Sequence, residues 1–131
     1  MLLDTSGLLC LLHAAEREHA DAVMYFDASP VKLTHSYVLA EFVALTYARG
    51  FPRQEILEFV ADLQDSSEVM VIYVSEQLHR QAIRLLQERL DKAWSLCDAV
   101  SFLLMREHRI SQALTSDHLF EQAGFVRLLV R

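Results

Sequence analysis

Short, unbroken apolar runs alternate with helical patterns along most of this chain of 131 residues. Runs without polar alternation are typical of strands that have both faces covered. Strands that alternate with helices pair in parallel, through right-handed crossovers. We therefore predict a single α/β domain, residues 1–131, with a central parallel sheet of about five short strands and helices on both faces. The predicted strands cover residues 1–4, 31–34, 69–74, 110–115 and 125–130.

Proline, glycine and small polar residues mark the ends of the predicted helices. Pro30 ends the second helix, because the residue before a proline is pushed out of the helical region. Gly50 is a typical terminator for the long third helix, and Pro52 opens the next one. Ser6 is available to cap the first helix. The predicted helices cover residues 6–15, 19–28, 36–49, 52–65, 75–90, 95–108 and 118–123.

Composition and charge exclude several classes of protein. With 53% hydrophobic and 23% charged residues, the chain is too apolar to be disordered. No run of 18 uncharged apolar residues could span a membrane, and the first positive charge, Arg17, comes too late for a signal peptide. Cys10 and Cys97 lie in apolar segments without a CxxC spacing, so we expect reduced thiols and a cytoplasmic protein. The net charge of −6 disfavours bulk binding to duplex DNA.

Four carboxylates stand alone in apolar segments. Asp4, Glu41, Asp98 and Asp117 are each the only Asp, Glu, Lys or Arg in a stretch of about ten residues, and none has Lys or Arg at helical i±3 or i±4 spacing. An ionised carboxylate in apolar surroundings costs several kcal/mol unless it is paired, hydrogen-bonded or bound to a metal. These positions are therefore the main candidates for a functional site.

Their places in the predicted fold bring the four carboxylates toward one edge of the sheet. Asp4 ends the first strand and Asp117 follows the fourth, while Asp98 opens a helix and Glu41 lies in the helix after the second strand. The carboxyl ends of parallel strands form the ligand crevice of open α/β sheets. A cluster of carboxylates there suits Mg²⁺ or Mn²⁺ better than Zn²⁺, and such a site can act on phosphate esters.

Each carboxylate also has a purely structural interpretation. Asp98 fits a capping box with Ser95, Asp4 can accept hydrogen bonds from the following turn, and Asp117 can cap the short helix after it. Glu41 has the weakest structural explanation, because a mid-helix acid in an apolar helix neither caps nor reaches solvent. These alternatives stay open at the level of the sequence.

In four segments the chain resembles the PIN-domain nucleases, and most closely their toxin-like members of VapC type. The segments are LDTS at residues 3–6, Glu41 in its apolar helix, WSLCD at residues 94–98 and LTSDHLFEQAGF at residues 114–125. They follow the order of the family along the whole chain. One departure is Cys97, where the family commonly has Thr.

The resemblance implies metal-dependent hydrolysis of RNA phosphodiester bonds, with Mg²⁺ or Mn²⁺ held by an acidic quartet of Asp4, Glu41, Asp98 and Asp117. Nearby hydroxyls are expected to orient these acids. They belong to Thr5, Ser6, Ser95 and Ser116. The partners implied are an RNA substrate and a small antitoxin protein, without a membrane and with a homodimer left open.

Two other functions remain as alternatives. The chain could be a PIN-like binding module that no longer cuts RNA, although the presence of all four acids argues against this. It could also be another acid-cluster phosphohydrolase. Phosphatases of haloacid-dehalogenase type need a second Asp two residues after the first, where this chain has Ser6.

Overall fold

Helices and strands alternate along the computed structural model of the protein, which describes residues 1–130. In chain order the elements are β1 (Leu2–Leu3), α1 (Thr5–Leu12), α2 (His19–Ala28), β2 (Leu33–His35), α3 (Ser36–Ala48), α4 (Arg53–Asp65), β3 (Met70–Ile72), α5 (Glu76–Glu88), α6 (Leu96–Glu107), β4 (Gln112–Leu114), α7 (Leu119–Gln122) and β5 (Val126–Arg127).

The five strands form one sheet in the order β3-β2-β1-β4-β5, and every pair is parallel. The predicted fold class is confirmed. The strands are shorter than the apolar runs that predicted them. Some residues beyond the strand ends still form backbone hydrogen bonds to the neighbouring strand. After β5, for example, the backbone amides of Leu128 and Leu129 still bond to Ala113 and Thr115 at 3.0 and 3.1 Å. Arg131, the last residue of the predicted domain, lies outside the described residues.

The hydrophobic core has two parts, one on each face of the sheet. Neighbouring strand residues point to opposite faces, so Leu3 packs with Phe42 of α3 in one part, whereas Leu2 packs with Phe102 of α6 in the other. The central strand therefore ties both cores together and holds its carboxyl end in a defined place. Within residues 1–130 we find no helix with the length and apolar character needed to cross a membrane.

The first helix differs from its prediction at both ends. It begins at Thr5, so Ser6 lies inside the helix, and Asp4 occupies the position before it without a side-chain capping bond. It ends at Leu12, where His13 takes an extended backbone conformation. The prediction that Ser6 caps this helix is wrong, because Ser6 Oγ instead contacts the segment after β4.

A glycine allows α1 to lie unusually close to β4. A Cβ atom at Gly7 would stand 2.0 Å from the carbonyl oxygen of Leu114, which no backbone adjustment of a few tenths of an ångström could relieve. This close approach brings Ser6 Oγ within 3.2 Å of Thr115 Oγ1. The glycine therefore helps to place the carboxyl ends of β1 and β4 against each other.

We expect Gly7→Ala to lower the free energy of unfolding by about 1–3 kcal/mol, because the added methyl forces α1 away from the sheet. In an ordinary helix interior the same change would raise stability by about 0.5–1 kcal/mol. Urea unfolding followed by circular dichroism would measure the difference. Stability that is unchanged or higher in the variant would contradict the tight packing of α1 on β4.

Candidate functional site

A cleft of about 470 Å³ opens beside Asp4, at the edge of the sheet where the strands end. Most of the residues predicted to form the site lie on its wall. They are Asp4, Thr5, Ser6, Glu41, Ser116 and Asp117. The predicted Ser95 and Asp98 do not line the cleft, but Asp98 is near enough for its charge to act on Asp4. The structure thus brings the four predicted carboxylates together.

Asp4 is the most deeply buried of these acids, with 6% of its surface exposed. Burial raises the pKa of Asp4 to about 7, and the negative charges of Asp98 and Glu41 add to the rise. Two hydrogen bonds oppose this effect: Thr115 Oγ1 donates to Asp4 Oδ2 at 2.8 Å, and the Thr5 backbone also bonds the carboxylate. At neutral pH the carboxylate is therefore held in an unfavourable environment with little compensation from the protein.

Asp98 forms the capping box that the sequence allows. The Ser95 amide donates to Asp98 Oδ2 at 2.9 Å, and the Asp98 amide donates to Ser95 Oγ at 3.0 Å. Burial raises the pKa of Asp98, and the charges of Asp117 and Glu41 act in the same direction, against the bonds to Ser95. The structural and functional interpretations therefore do not exclude each other, because the capping box uses Oδ2 and leaves Oδ1 for another ligand.

The other two acids are closer to solvent. Glu41 is exposed, contrary to the burial expected from its apolar neighbours, because its side of α3 faces the cleft and not the core. Its Oε1 accepts a hydrogen bond from Thr5 Oγ1 at 2.6 Å. Asp117 is half-buried and accepts a bond from the Leu119 amide at 3.0 Å, the local bond that its structural interpretation predicts.

Thr115 is the residue at this site that the sequence analysis missed. It is fully buried, and its hydroxyl contacts Asp4 Oδ2, Ser6 Oγ and the Asp117 amide at 2.8, 3.2 and 3.0 Å. One hydroxyl therefore connects two acids that are far apart in sequence. The signal was a polar residue at the end of an apolar strand, directly before the Ser116–Asp117 pair.

The predicted hydroxyl residues lie close to the acids in different ways. Thr5 bonds Glu41, Ser95 caps the helix that carries Asp98, and Ser6 Oγ accepts the Ser116 amide at 3.0 Å. Ser116 is held by its backbone, since its carbonyl also accepts from Arg127 at 3.1 Å. Their orienting role during a reaction stays a prediction.

The outer part of the cleft holds a second group that the sequence did not point to. Ligand atoms of Cys10, Glu16 and Glu18 lie within 4.8 Å of one another. Burial, together with the charges of Glu18 and Glu16, raises the pKa of Cys10 to about 11. Arg49 closes this end, with its Nη1 3.9 Å from Glu16 Oε1. These residues come from α1, from the segment between α1 and α2 and from the end of α3, so only the folded chain shows that they meet.

The chemistry of the inner site fits a hard divalent cation. Among residues 1–130 no Lys or Arg forms an ion pair with any acid of the quartet, and the imidazole contact to these acids is that of His118 Nδ1, 3.9 Å from Asp117 Oδ1. Carboxylate oxygens are the ligands that Mg²⁺ and Mn²⁺ prefer. A bound cation would supply the positive charge that the protein does not.

Comparison with known proteins identifies the family. The sequence matches the PIN domain over residues 1–126. The chain belongs to the PIN-domain family. The resemblance noted from the acidic motifs is thereby confirmed, and the architecture described above is that of a PIN domain.

Among characterised PIN-domain proteins, the chain is similar to the 23S rRNA-specific endonuclease VapC20 of Mycobacterium tuberculosis, in the strains CDC 1551 / Oshkosh and ATCC 25618 / H37Rv. The identity is 31% over 129 residues, which cover 98% of this chain and 97% of the relative. The crystal structure of VapC20, described as a sarcin-ricin loop cleaving toxin, superposes with a TM-score of 0.84 at 30% identity and covers 95% of each chain.

The raised pKa of Asp4 makes a prediction about stability. Between about pH 4 and pH 7 the folded PIN domain should bind more protons than the unfolded chain, so the free energy of unfolding of the wild type should fall as the pH rises. Asp4→Asn should remove this loss of stability, because the amide does not ionise. The two proteins should diverge by up to about 1.4 kcal/mol per pH unit in EDTA, with the variant more stable at pH 7.

Magnesium should narrow this difference in stability. At free Mg²⁺ about tenfold above its dissociation constant the wild type should gain about 1.4 kcal/mol, and Asp4→Asn should gain less. Urea melts in EDTA and in Mg²⁺ would measure both effects, with Asp62→Asn, an exposed acid on α4, as the control for loss of one charge. An Asp4→Asn variant that is less stable in EDTA and keeps the full magnesium gain would mean that Asp4 is structural.

Proposed function

We propose that this PIN-domain protein is a metal-dependent endoribonuclease and the toxin of a toxin–antitoxin pair. The observation that carries the proposal is that four acids from four separate segments converge at one sheet edge, where no Lys or Arg among residues 1–130 pairs with them. The acids are Asp4, Glu41, Asp98 and Asp117. The endonuclease activity of the relative VapC20, with which the chain aligns along nearly its whole length, supports the same conclusion.

The quartet would hold one or two Mg²⁺ or Mn²⁺ ions through its carboxylate oxygens. When bound, such an ion would acidify water and neutralise the negative charge that develops on the phosphate oxygens. The protein contributes orientation. Thr115 fixes one oxygen of Asp4, Thr5 fixes one oxygen of Glu41, and the capping box fixes one oxygen of Asp98. Each acid thereby presents its other oxygen in a defined direction.

A carboxylate must also accept the proton of the attacking water. Asp98 and Glu41 are the candidates for this role. The acids influence one another through their charges, so their protonation is coupled and cannot be assigned to one acid alone. A pH–rate profile would therefore report apparent pKa values of the quartet.

Structural features disfavour both alternative functions. A binding module without activity would have no need for two acids, Asp4 and Asp98, in an environment that raises their pKa values, which costs stability. A phosphatase of haloacid-dehalogenase type needs a second Asp at the place of Ser6. Here Ser6 Oγ instead bonds Thr115 and the Ser116 amide, so it belongs to the framework of the site.

The toxin role includes a partner and a compartment. We propose that a small antitoxin protein covers the acidic cleft and reaches the carboxylates with an Arg side chain, which matches carboxylate geometry. We propose the cytoplasm as the compartment, because it contains RNA substrates and keeps thiols such as Cys10 and Cys97 reduced. A homodimer stays a prediction, which light scattering would check.

We expect Asp98→Asn to lower the cleavage rate by about 100-fold or more without unfolding the protein. The Asn carbonyl can still accept the Ser95 amide, so the capping box survives while one metal ligand loses its charge. Cleavage of 23S rRNA, which is named as the substrate class of VapC20, would be measured with Mg²⁺, Mn²⁺, Ca²⁺ and EDTA, with circular dichroism on the same samples. Ca²⁺ should support little cleavage.

The exposed Asp62→Asn variant is the matched control, and it should cleave like the wild type. Full activity of Asp98→Asn would remove this residue from the site. Cleavage that continues undiminished in excess EDTA would overturn the metal dependence.

The partner is tested by purification from the native host. A tagged Asp98→Asn chain, which should be non-toxic, is expected to retain a small protein at a stoichiometry near one to one, identified by mass spectrometry. Removing the acids of the cleft in an Asp4→Asn, Asp117→Asn background should weaken this retention. Recovery of the chain alone at native expression would indicate a nuclease without an antitoxin.

A further inference from the structure

One arginine shares a face of α3 with the catalytic candidate Glu41. Glu41, Leu45 and Arg49 are spaced four residues apart, so they form one stripe along the helix, and all three line the cleft. Arg49 occupies the residue after the last turn, where a cation is favoured by the helix dipole. The cleft therefore has an acidic end at the sheet and a cationic group at the far end of α3.

Arg49 stands out because the cleft is otherwise lined by negative charges. Its described wall carries five carboxylates, those of Asp4, Glu16, Glu18, Glu41 and Asp117, against a single permanent cation, the Arg49 guanidinium. Metal ions at the quartet would neutralise the inner acids and leave Glu16 and Glu18 near the outer end. An RNA strand that enters the cleft must place more than one phosphate there, and each additional phosphate needs a positive partner.

The contact between Arg49 and Glu16 is loose. Their closest atoms are 3.9 Å apart, which is longer than a charge-assisted hydrogen bond, and the side chain of Arg49 is 53% exposed. An exposed ion pair of this kind contributes little stability. The guanidinium is thus held near the cleft, with its hydrogen-bond donors free to be taken by a phosphate.

We propose that Arg49 binds an RNA backbone phosphate adjacent to the one that is cleaved, and that Glu16 holds the guanidinium until the phosphate replaces it. Eight residues separate Arg49 from Glu41, which is about 12 Å along the helix axis. This spacing of about two helical turns suits a phosphate of a neighbouring nucleotide. The inference rests on the proposed ribonuclease function and assigns to it a substrate-binding residue.

The experiment compares Arg49→Gln, Arg49→Lys and Arg53→Gln in cleavage of a 23S rRNA hairpin. Arg53 lies four residues further on, stacks over Tyr47 with its guanidinium carbon 5.1 Å from the ring centre, and does not line the cleft. We expect KM to rise about tenfold in Arg49→Gln while kcat stays within about twofold. Arg49→Lys should recover part of the loss, because it keeps the charge and loses the planar fork.

The salt dependence of RNA binding distinguishes a phosphate contact from a purely structural role of Arg49, which would leave it unchanged. Loss of one phosphate contact to single-stranded RNA should reduce the slope of log affinity against log salt by about 0.7 in Arg49→Gln. Arg53→Gln should keep the slope of the wild type. Equilibrium binding of a fluorescent hairpin in an Asp98→Asn background would measure the slope without cleavage.

The role of Glu16 is tested with a double-mutant cycle. Glu16→Gln should lower KM by releasing Arg49, and this gain should vanish when Arg49→Gln is also present. If Glu16 acted only through general repulsion of RNA, the gain would persist in the double variant, and the holding role would be overturned.

The possible outcomes separate the inference from the proposed function. A wild type that cleaves, combined with unchanged KM and salt slope in Arg49→Gln, overturns the inference and leaves the ribonuclease intact. A fall in kcat with constant KM also overturns it. A wild type that binds but does not cleave, with binding still weakened by Arg49→Gln, overturns the function and supports only the RNA-phosphate contact of Arg49. A protein that neither binds nor cleaves overturns both.

Discussion

The junction between the ends of β1 and β4 determines where the rest of the site lies. The Asp4 amide donates to the Leu114 carbonyl at 3.2 Å, and one residue further on Thr115 Oγ1 donates to the Asp4 carboxylate. Both residues are buried, and hydrogen bonds between buried groups are strengthened by the low local dielectric. The close packing of Gly7 on β4 then carries Thr5 and Ser6 to the same junction.

This junction works against the stability of the protein. Burial and neighbouring charges raise the pKa values of Asp4 and Asp98, so the ionised forms that a metal site requires are disfavoured in the folded chain without the metal. The two cores on the faces of the sheet must offset that cost. The arrangement is typical of functional sites, where groups are kept in an unfavourable state because binding relieves it.

Much of this architecture could be predicted from the sequence, because the signals were local. Continuous apolar runs indicated buried parallel strands, and an acid alone in an apolar segment at Asp4, Asp98 or Asp117 indicated a site at one edge of the sheet. The prediction that Ser6 caps α1 was wrong. A serine before an apolar stretch looks the same in the sequence whether it caps the helix or, as here, lies inside a helix that has already begun at Thr5. The exposure of Glu41 was also missed, because the sequence of α3 does not show which side meets the cleft.

Other features depend on contacts between distant segments and left no local signal. In the sequence, Thr115 resembles any last residue of a strand. Its role depends on contacts with Asp4, which lies at the other end of the chain, and with Asp117. Glu16 and Arg49 are 33 residues apart in a segment between helices and at a helix end, where charged residues are usually solvated. No periodicity could indicate that they meet.

The inner and outer parts of the cleft differ in how they are built, and this difference has a functional consequence. Asp4 and Asp98 are buried and held by hydrogen bonds to Thr115 and Ser95, which suits ligands whose positions must be accurate. The outer residues Glu16 and Arg49 are more exposed and only loosely paired, so they can rearrange at little cost when a flexible strand arrives. Under the proposed function, chemistry and substrate recognition would therefore change independently, because a substitution at the outer end would alter RNA binding without disturbing the junction that positions the acids.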